Sequence, residues 1–232
     1  MALNFFGRGS GFSDEHNSAY FFTSNKEIVI IDCPASNFQK LKHMELQNYD
    51  KVYILVTHTH GDHIGGLGLF VQYAFFNLKK TITIVAPSTE VANDILTVLT
   101  IEGNESSWYE LITVNDLQEK EWFGASVLTK HSPQLENKCF GYILIVGGKK
   151  IVYTGDTSTI VPFLPYLEEG TILYVDTSVY YGSIHLKLED TLDELIALNK
   201  KGVKVFLMHL DDVVEAEKIV ENYPDIKVVT VD

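Results

Sequence analysis

Residues 51–63 read KVYILVTHTHGDH, an apolar run that leads directly into three histidines and an aspartate. Residues 51–57 have the composition of a buried strand, and the glycine-containing stretch after them is typical of a loop. A strand that ends in a loop fixes where the loop begins while the loop side chains remain reachable. Each imidazole carries a polar nitrogen that needs a partner when buried, so three so close together are hard to explain as core residues. The stretch predicts metal ligands at His58, His60, Asp62 and His63.

Three more polar residues follow apolar strands further along the chain. His131 follows residues 125–130, Asp156 follows residues 151–155, and His209 follows residues 203–208. A dinuclear metal site needs more ligands than one loop can give, and strand ends that converge on one edge would supply them. A mixed set of imidazoles and carboxylates suits zinc and also tolerates manganese or iron. The sequence therefore predicts two divalent metal ions.

The rest of the chain alternates between strand and helix patterns. With 232 residues and 46% hydrophobic content, the chain can bury a full core, and we predict a single domain over residues 1–232. Strands that bunch early and in the middle, with helices interspersed, predict two sheets covered outside by helices. The patterns predict strands at about 2–6, 19–24, 27–32, 51–57, 81–86, 126–129, 141–146, 150–153, 171–176, 203–208 and 226–231. They predict helices over 36–49, 65–79, 189–200 and 212–222, and one that opens at Pro87-Ser88.

Composition limits the kinds of binding partner and the cell compartment that we expect. The net charge of −13 argues against a long nucleic acid, because phosphate recognition normally leaves a basic stripe. Cys33 and Cys139 lie far apart in no paired motif, which indicates neither a disulfide framework nor a cysteine zinc site. No run approaches the length of a membrane span, and the first residues lack a signal-peptide pattern. We expect a cytoplasmic protein without membrane association.

The ordered set of ligands resembles that of the metallo-β-lactamase superfamily. The resemblance implies an α/β fold, the four-layer αββα sandwich, with the metals at its edge. It also implies that His58, His60 and His131 hold the first ion, that Asp62, His63 and His209 hold the second, and that Asp156 bridges them. Asp32 resembles the aspartate that supports the metal loop of this superfamily from behind.

A further histidine resembles the ribonuclease Z branch of that superfamily. His185 follows the strand at 171–176, which ends in Asp176, and the glycine-rich segment 6–11 is also similar to this branch. The resemblance implies that Asp176 orients His185, and that His185 stabilises the phosphoryl oxygens or protonates the leaving oxygen. Only a short stretch separates His131 from Asp156, where transfer-RNA processing enzymes carry a long arm. A compact phosphodiesterase is expected.

Among armless members of this branch, the chain resembles the anti-Pycsar cyclic nucleotide phosphodiesterases. The resemblance implies hydrolysis of 3′,5′-cyclic mononucleotides such as cCMP and cUMP, catalytic roles for Asp62, His185 and Asp176, a homodimer, and evasion of Pycsar antiphage signalling. Aromatic rings in predicted loops could stack on the base or could simply pack: Trp108, Tyr109, Tyr180 and Tyr181. Three alternatives stay open: a ribonuclease Z-like RNA phosphodiesterase, a lactonase or thioesterase, and a nucleotide-sequestering protein without turnover.

Overall fold

The structure, a computed structural model, describes residues 2–231 and folds them into two six-stranded sheets. The first sheet contains β1 (Asn4–Gly7), β2 (Ser18–Phe22), β3 (Glu27–Ile31), β4 (Lys51–Leu55), β5 (Ile82–Ala86) and β6 (Tyr109–Thr113). The second contains β7 (Phe123–Leu128), β8 (Phe140–Val146), β9 (Lys149–Tyr153), β10 (Ile172–Asp176), β11 (Lys204–Met208) and β12 (Ile226–Val228). Strands lie side by side in chain order, so each sheet is built from one contiguous half of the chain.

The strand directions bring the ends of several strands to one edge. In the first sheet β3, β4, β5 and β6 are parallel, while β1, β2 and β3 pair antiparallel. The second sheet repeats this plan, with β7, β8 and β9 antiparallel and β9 to β12 parallel. The carboxyl ends of parallel strands therefore face the same way within each sheet, which is where α/β folds place their sites.

Alternation along β4 shows how the layers are built. Tyr53 and Leu55 belong to the apolar cluster between the two sheets, whereas Val52 and Ile54 belong to the cluster under the helices of the first sheet. Both faces of the strand are buried, which explains its continuous apolar run. A third cluster lies between the second sheet and its helices. The predicted four-layer αββα sandwich is confirmed.

Helices cover the outer faces of both sheets. Ser88 caps one of them, since its Oγ accepts a hydrogen bond from the Val91 amide (3.3 Å), and the predicted helix start there is confirmed. Within residues 2–231, none of the helices has the length and apolar character needed to cross a membrane. The helices are α1 (Phe38–His43), α2 (Gly61–Ile64), α3 (Leu67–Phe76), α4 (Thr89–Ile101), α5 (Leu188–Lys200) and α6 (Val213–Val220).

The single helix predicted over 36–49 is wrong. The chain turns to an extended conformation at Met44 (φ −75°, ψ 142°). Leu41 and Leu46, both buried, are five positions apart, which is out of phase for one face of a continuous helix, and the break lets both reach the core. The segment instead forms three short pieces, at Ala35–Asn37, Phe38–His43 and Leu46–Asn48.

One strand was not predicted. β6 pairs parallel with β5, but only Tyr109 of its five residues is fully buried, so the apolar alternation is weak. This edge position explains why the sequence pattern resembles a loop. The last strand is shorter than predicted, ending at Val228 rather than at 231.

A polar contact ties the two sheets together at the start of β3. Glu27 Oε1 accepts a hydrogen bond from Lys120 Nζ (2.6 Å), and its Oε2 accepts one from the buried Trp122 indole N–H (3.1 Å). Lys120 is partly exposed, so its ion pair contributes little, whereas Trp122 is buried and its indole N–H loses this partner when the acceptor is removed.

We expect Glu27→Ala to lower the free energy of unfolding by about 2 kcal/mol, because the indole N–H would be left unpaired. Glu27→Gln keeps an acceptor for the indole and loses only the ion pair, so its loss should stay under about 1 kcal/mol. Urea denaturation of the two variants measures the difference. Equal losses would show that the charge of Glu27, rather than its acceptor role, carries the contact.

Candidate metal centre

The structure brings all seven predicted ligands together at one edge, between the two sheets. The loop after β4 and the short helix α2 carry four of them, and the other three follow β7, β9 and β11 of the second sheet. They form two clusters that share one carboxylate. The first is His58, His60, His131 and Asp156, and the second is Asp62, His63, Asp156 and His209.

Imidazole nitrogens of the first cluster converge on one point. His58 Nε2 and His131 Nε2 lie 3.0 and 3.3 Å from His60 Nδ1. The same two nitrogens lie 3.7 and 3.6 Å from Asp156 Oδ2. Four potential metal ligands therefore surround a small volume between the edges of the two sheets.

The second cluster uses the other oxygen of the shared carboxylate. Asp156 Oδ1 lies 3.3 Å from His63 Nε2 and 3.5 Å from His209 Nε2. Asp62 Oδ2 lies 3.4 and 3.5 Å from the same two nitrogens. Each oxygen of Asp156 thus faces a different cluster, which is the arrangement of a bridging ligand.

These residues fit a pair of divalent ions. His63 Nε2, His209 Nε2 and Asp156 Oδ1 are buried without a hydrogen-bond partner among the described residues. Buried polar atoms are rarely left unpaired, so a shared partner is indicated. Two donors that each lie about 2.1 Å from a tetrahedral ion are about 3.4 Å apart, which is the spacing seen in the second cluster.

Asp32 supports the ligand loop from behind, as the resemblance implied. The Thr57 amide donates to its Oδ1 (2.8 Å), and the Thr57 hydroxyl donates to its Oδ2 (2.8 Å). His63 Nδ1 also lies 2.8 Å from Oδ2, and this bond turns His63 Nε2 toward the second cluster. Asp32 is fully buried and adopts a left-handed backbone conformation (φ 62°), which holds its carboxylate under the loop.

Gly155 makes the turn that delivers Asp156. Its φ of 58° is in the left-handed region, and a Cβ there would lie 2.5 Å from the Phe140 carbonyl oxygen. The Thr129 hydroxyl then donates to the Asp156 carbonyl oxygen (2.9 Å). A residue with a side chain would strain this turn and displace the carboxylate that the two clusters share.

Asp176 touches two histidines rather than the one predicted. His185 Nδ1 lies 2.8 Å from Asp176 Oδ2, and His209 Nδ1 lies 3.3 Å from Oδ1. The Thr157 amide donates to Oδ2 (2.8 Å) and fixes the carboxylate. Asp176 therefore orients both His185 and the candidate ligand His209. The contact with His209 was not predicted, because the sequence does not show that β10 and β11 place these residues on the same side.

His185 stands beside the ligands rather than in solvent. Its ring centroid lies 5.0 Å from that of His131 and 5.0 Å from that of His209. Burial lowers its pKa, but the charge of Asp176 and the hydrogen bond to it outweigh burial and raise the pKa above its ordinary value. A raised pKa favours the protonated imidazole, which is the form that can donate a proton.

The charges of the ligands are strongly coupled. Burial lowers the pKa of His58, and nearby His63 lowers it further, so His58 is neutral and has a free lone pair. Burial also lowers the pKa of His209, but Asp156, Asp176 and Asp62 together outweigh this and raise it to about 10. Burial raises the pKa of Asp156, but its histidine neighbours outweigh burial and hold the pKa well below its usual range. The carboxylate shared by the two clusters is therefore ionised.

A cavity of about 640 Å³ opens over both clusters. Exposed aromatic rings stand among its lining residues, with Phe12, Tyr180 and Tyr181 all more than half exposed. Of the two alternatives for Trp108 and Tyr109, the structure supports packing, because neither residue lines this cavity. Tyr109 is buried in β6, and Trp108 packs on the α3 residues Phe75 and Phe76.

Two neighbours of the centre were missed from the sequence. Phe12 lies on a loop whose Gly11 sits against Asp62, since a Cβ at Gly11 would lie 2.9 Å from Asp62 Oδ2. Asp211 lies two positions after His209 and accepts three hydrogen bonds from residues 178–180. The only sequence signal for Asp211 is the Asp211-Asp212 pair directly after a ligand strand. His16 lies outside the cavity lining and bonds Ser36 and Gly11.

Comparisons with known proteins agree with this geometry. The family model described as "Anti-Pycsar protein Apyc1" matches residues 1–229. The chain is 28% identical over 236 residues to the Anti-Pycsar protein Apyc1 of Bacillus phage 010DV004, an alignment that covers 93% of this chain and 91% of the phage protein.

Solved structures show the same fold at low identity. The metallo-β-lactamase fold protein YhfI of Bacillus subtilis superposes with a TM-score of 0.76 at 18% identity, covering 98% of this chain and 96% of YhfI. The short form of human tRNase Z superposes with a TM-score of 0.66 at 16% identity, covering 99% and 96% of the two chains.

Proposed function

Since the chain belongs to the Anti-Pycsar protein Apyc1 family, we propose that it is a metal-dependent phosphodiesterase that hydrolyses 3′,5′-cyclic mononucleotides, such as cCMP and cUMP, to linear nucleoside monophosphates. The proposal extends to cAMP and cGMP as further substrates. It also includes evasion of Pycsar antiphage signalling, in the host cytoplasm, and a homodimer. The metallo-β-lactamase fold of its structural neighbours supports the hydrolase part of this assignment.

One observation carries the phosphodiesterase assignment, namely the Asp176–His185 pair beside the ligand clusters. Hydrolysis of a 3′,5′-cyclic nucleotide must release a ribose alkoxide, a poor leaving group that requires a proton. His185, with its raised pKa, is placed to supply that proton, and Asp176 holds its ring through Nδ1. A thioester releases a thiolate, which can leave without a proton, so thioester hydrolysis does not require this pair to the same extent.

Two divalent ions complete the proposal, most simply zinc, with manganese as the alternative. His58, His60 and His131 would hold the first ion, Asp62, His63 and His209 the second, and Asp156 both. When bound, such ions supply positive charge to phosphoryl oxygens and activate water. A protein that only sequesters nucleotides would not need this ligand set.

The cavity supports a small substrate with one phosphate. Its volume lies in the range of small-molecule sites, and exposed tyrosine and phenylalanine rings at its mouth can stack on a base. None of the described residues that line it is lysine or arginine. Recognition of an RNA chain would require cations along the groove, so the lining favours a cyclic mononucleotide over RNA.

The decisive experiment incubates zinc-loaded or manganese-loaded protein with cCMP, cUMP, cAMP and cGMP and separates the products by chromatography. We expect linear monophosphates from the wild type and none after chelation of the metal. Parallel incubations with a short RNA, a lactone and a thioester test the other reactions. Intact cyclic nucleotides beside a cleaved lactone or thioester would reject the proposal. Recovery of unchanged bound nucleotide would favour sequestration.

A further inference from the structure

Residues 179–186 form a loop that is closed at its base, here called the His185 loop. The Ser178 amide donates to the Leu186 carbonyl oxygen (2.8 Å), and the Leu188 amide donates to the Ser178 carbonyl oxygen (2.8 Å). The loop carries His185 next to this closure and Tyr180 and Tyr181 at its other end. It forms one wall of the cavity over the metal centre.

Asp211 binds the tyrosine end of the His185 loop. Its Oδ1 accepts from the Val179 amide (2.7 Å), and its Oδ2 accepts from the Ser178 hydroxyl (2.5 Å) and the Tyr180 amide (3.1 Å). The Ser178 hydroxyl oxygen in turn accepts from the Tyr181 amide (2.7 Å). Through these three hydrogen bonds, and through the Ser178 hydroxyl, this single side chain fixes the backbone of both tyrosines.

The two tyrosines differ in what their rings can do. The Tyr180 hydroxyl donates to Asp212 Oδ2 (2.8 Å), at the start of α6, so its ring is held on the protein. The Tyr181 hydroxyl makes no hydrogen bond and its ring no ring contact within residues 2–231, although the ring is 66% exposed and lines the cavity. A ring with a fixed backbone and a free face is suited to contact a ligand at little cost in entropy.

We propose that Asp211 is a positioning residue for substrate binding, which holds Tyr181 over the cavity as the ring that contacts the nucleobase. This inference rests on the proposed function and deepens it. His185 does not depend on Asp211 in the same way, because the backbone closure at Ser178 and the bond to Asp176 hold it separately. Loss of Asp211 therefore affects binding more than the chemical step.

The test compares Asp211→Ala and Asp211→Asn with the wild type. Chymotrypsin cleavage after Tyr180 and Tyr181, followed by mass spectrometry, reports opening of the loop without any turnover. We expect Asp211→Ala to speed this cleavage about tenfold, because the cleavage rate follows the population of the open loop. With a cyclic nucleotide, KM should rise about tenfold while kcat changes by less than about threefold. Asp211→Asn keeps one acceptor and should fall between wild type and Asp211→Ala.

Asp116→Ala is the matched control, because Asp116 also accepts bonds from a backbone amide and a hydroxyl, both of Thr113, but lies outside the cavity lining. Unchanged cleavage in Asp211→Ala would overturn the proposal. So would a loss of bound metal, which would make Asp211 a support of His209, or a fall in kcat at constant KM. A wild type that is inert toward cyclic nucleotides would reject the proposed function. Because chymotrypsin cleavage needs no substrate, it would still decide whether Asp211 holds the loop.

Discussion

Asp156→Asn should abolish most of the activity. The asparagine keeps the volume of the side chain but presents an amide nitrogen, which is not a metal ligand, to one of the two clusters. Since both oxygens of Asp156 face clusters, we expect the protein to retain one ion at most. Losing the charge stabilisation that an ion provides costs about 4 kcal/mol, or roughly a thousandfold in kcat/KM. Metal analysis and cyclic nucleotide turnover measure the two effects.

The control for this prediction is Asp94→Asn. Asp94 lies on α4 and pairs with Lys138 at the surface, so its replacement also removes one carboxylate from the chain. Its metal content and turnover should match those of the wild type. A variant at Asp156 that keeps both ions and normal turnover would show that this residue is not the bridge.

His185→Ala should separate two classes of substrate. For a cyclic nucleotide, whose leaving group is an alkoxide, we expect kcat to fall about a hundredfold or more, the usual contribution of a positioned acid. For bis(4-nitrophenyl) phosphate, whose leaving group needs no proton, kcat should fall by less than about fivefold. Steady-state kinetics with both substrates at saturating metal provide the comparison.

His43→Ala is the control for a lost histidine, because His43 is exposed at the end of α1 and lies outside both ligand clusters and the cavity lining. It should leave both reactions unchanged. Equal losses for both substrates in His185→Ala would instead indicate that His185 supports His131 or His209 and donates no proton to the leaving group.

The sequence predicted those features that depend on composition along a single strand. The ligand loop after β4 can be recognised because its histidines follow an apolar run. That run is buried on both faces, between the sheets on one side and under the helices on the other. β6 was missed since an edge strand with one fully buried residue carries little periodicity. The helix predicted over 36–49 is wrong because Leu41 and Leu46 are both buried in the core. A continuous helix could not direct both side chains to the same face.

At the candidate metal centre, the ligand residues could be predicted from the sequence, but the residues that hold them in place could not. Strand ends and histidines mark the ligands in the sequence, whereas supporting contacts depend on which strands become neighbours. The contact of Asp176 with His209 exists because β10 and β11 are paired in register, Asp176 opposite Met208. Asp211 accepts hydrogen bonds mainly from backbone amides. Because nearly every residue has such an amide, the side chains in the sequence do not indicate which residues Asp211 binds.

Each sheet is built from one contiguous half of the chain. The ligands of the candidate metal centre are therefore synthesised in two groups, one with each sheet. Four of the seven ligands belong to the first half, but each cluster also needs Asp156 from the second. A nascent chain therefore leaves the ribosome with His58 to His63 before either cluster can close, and the second cluster closes only after β11, which His209 follows, has been made. Both candidate metal sites therefore depend on the second sheet, and a chain that stops before β11 would lack a ligand of the second one.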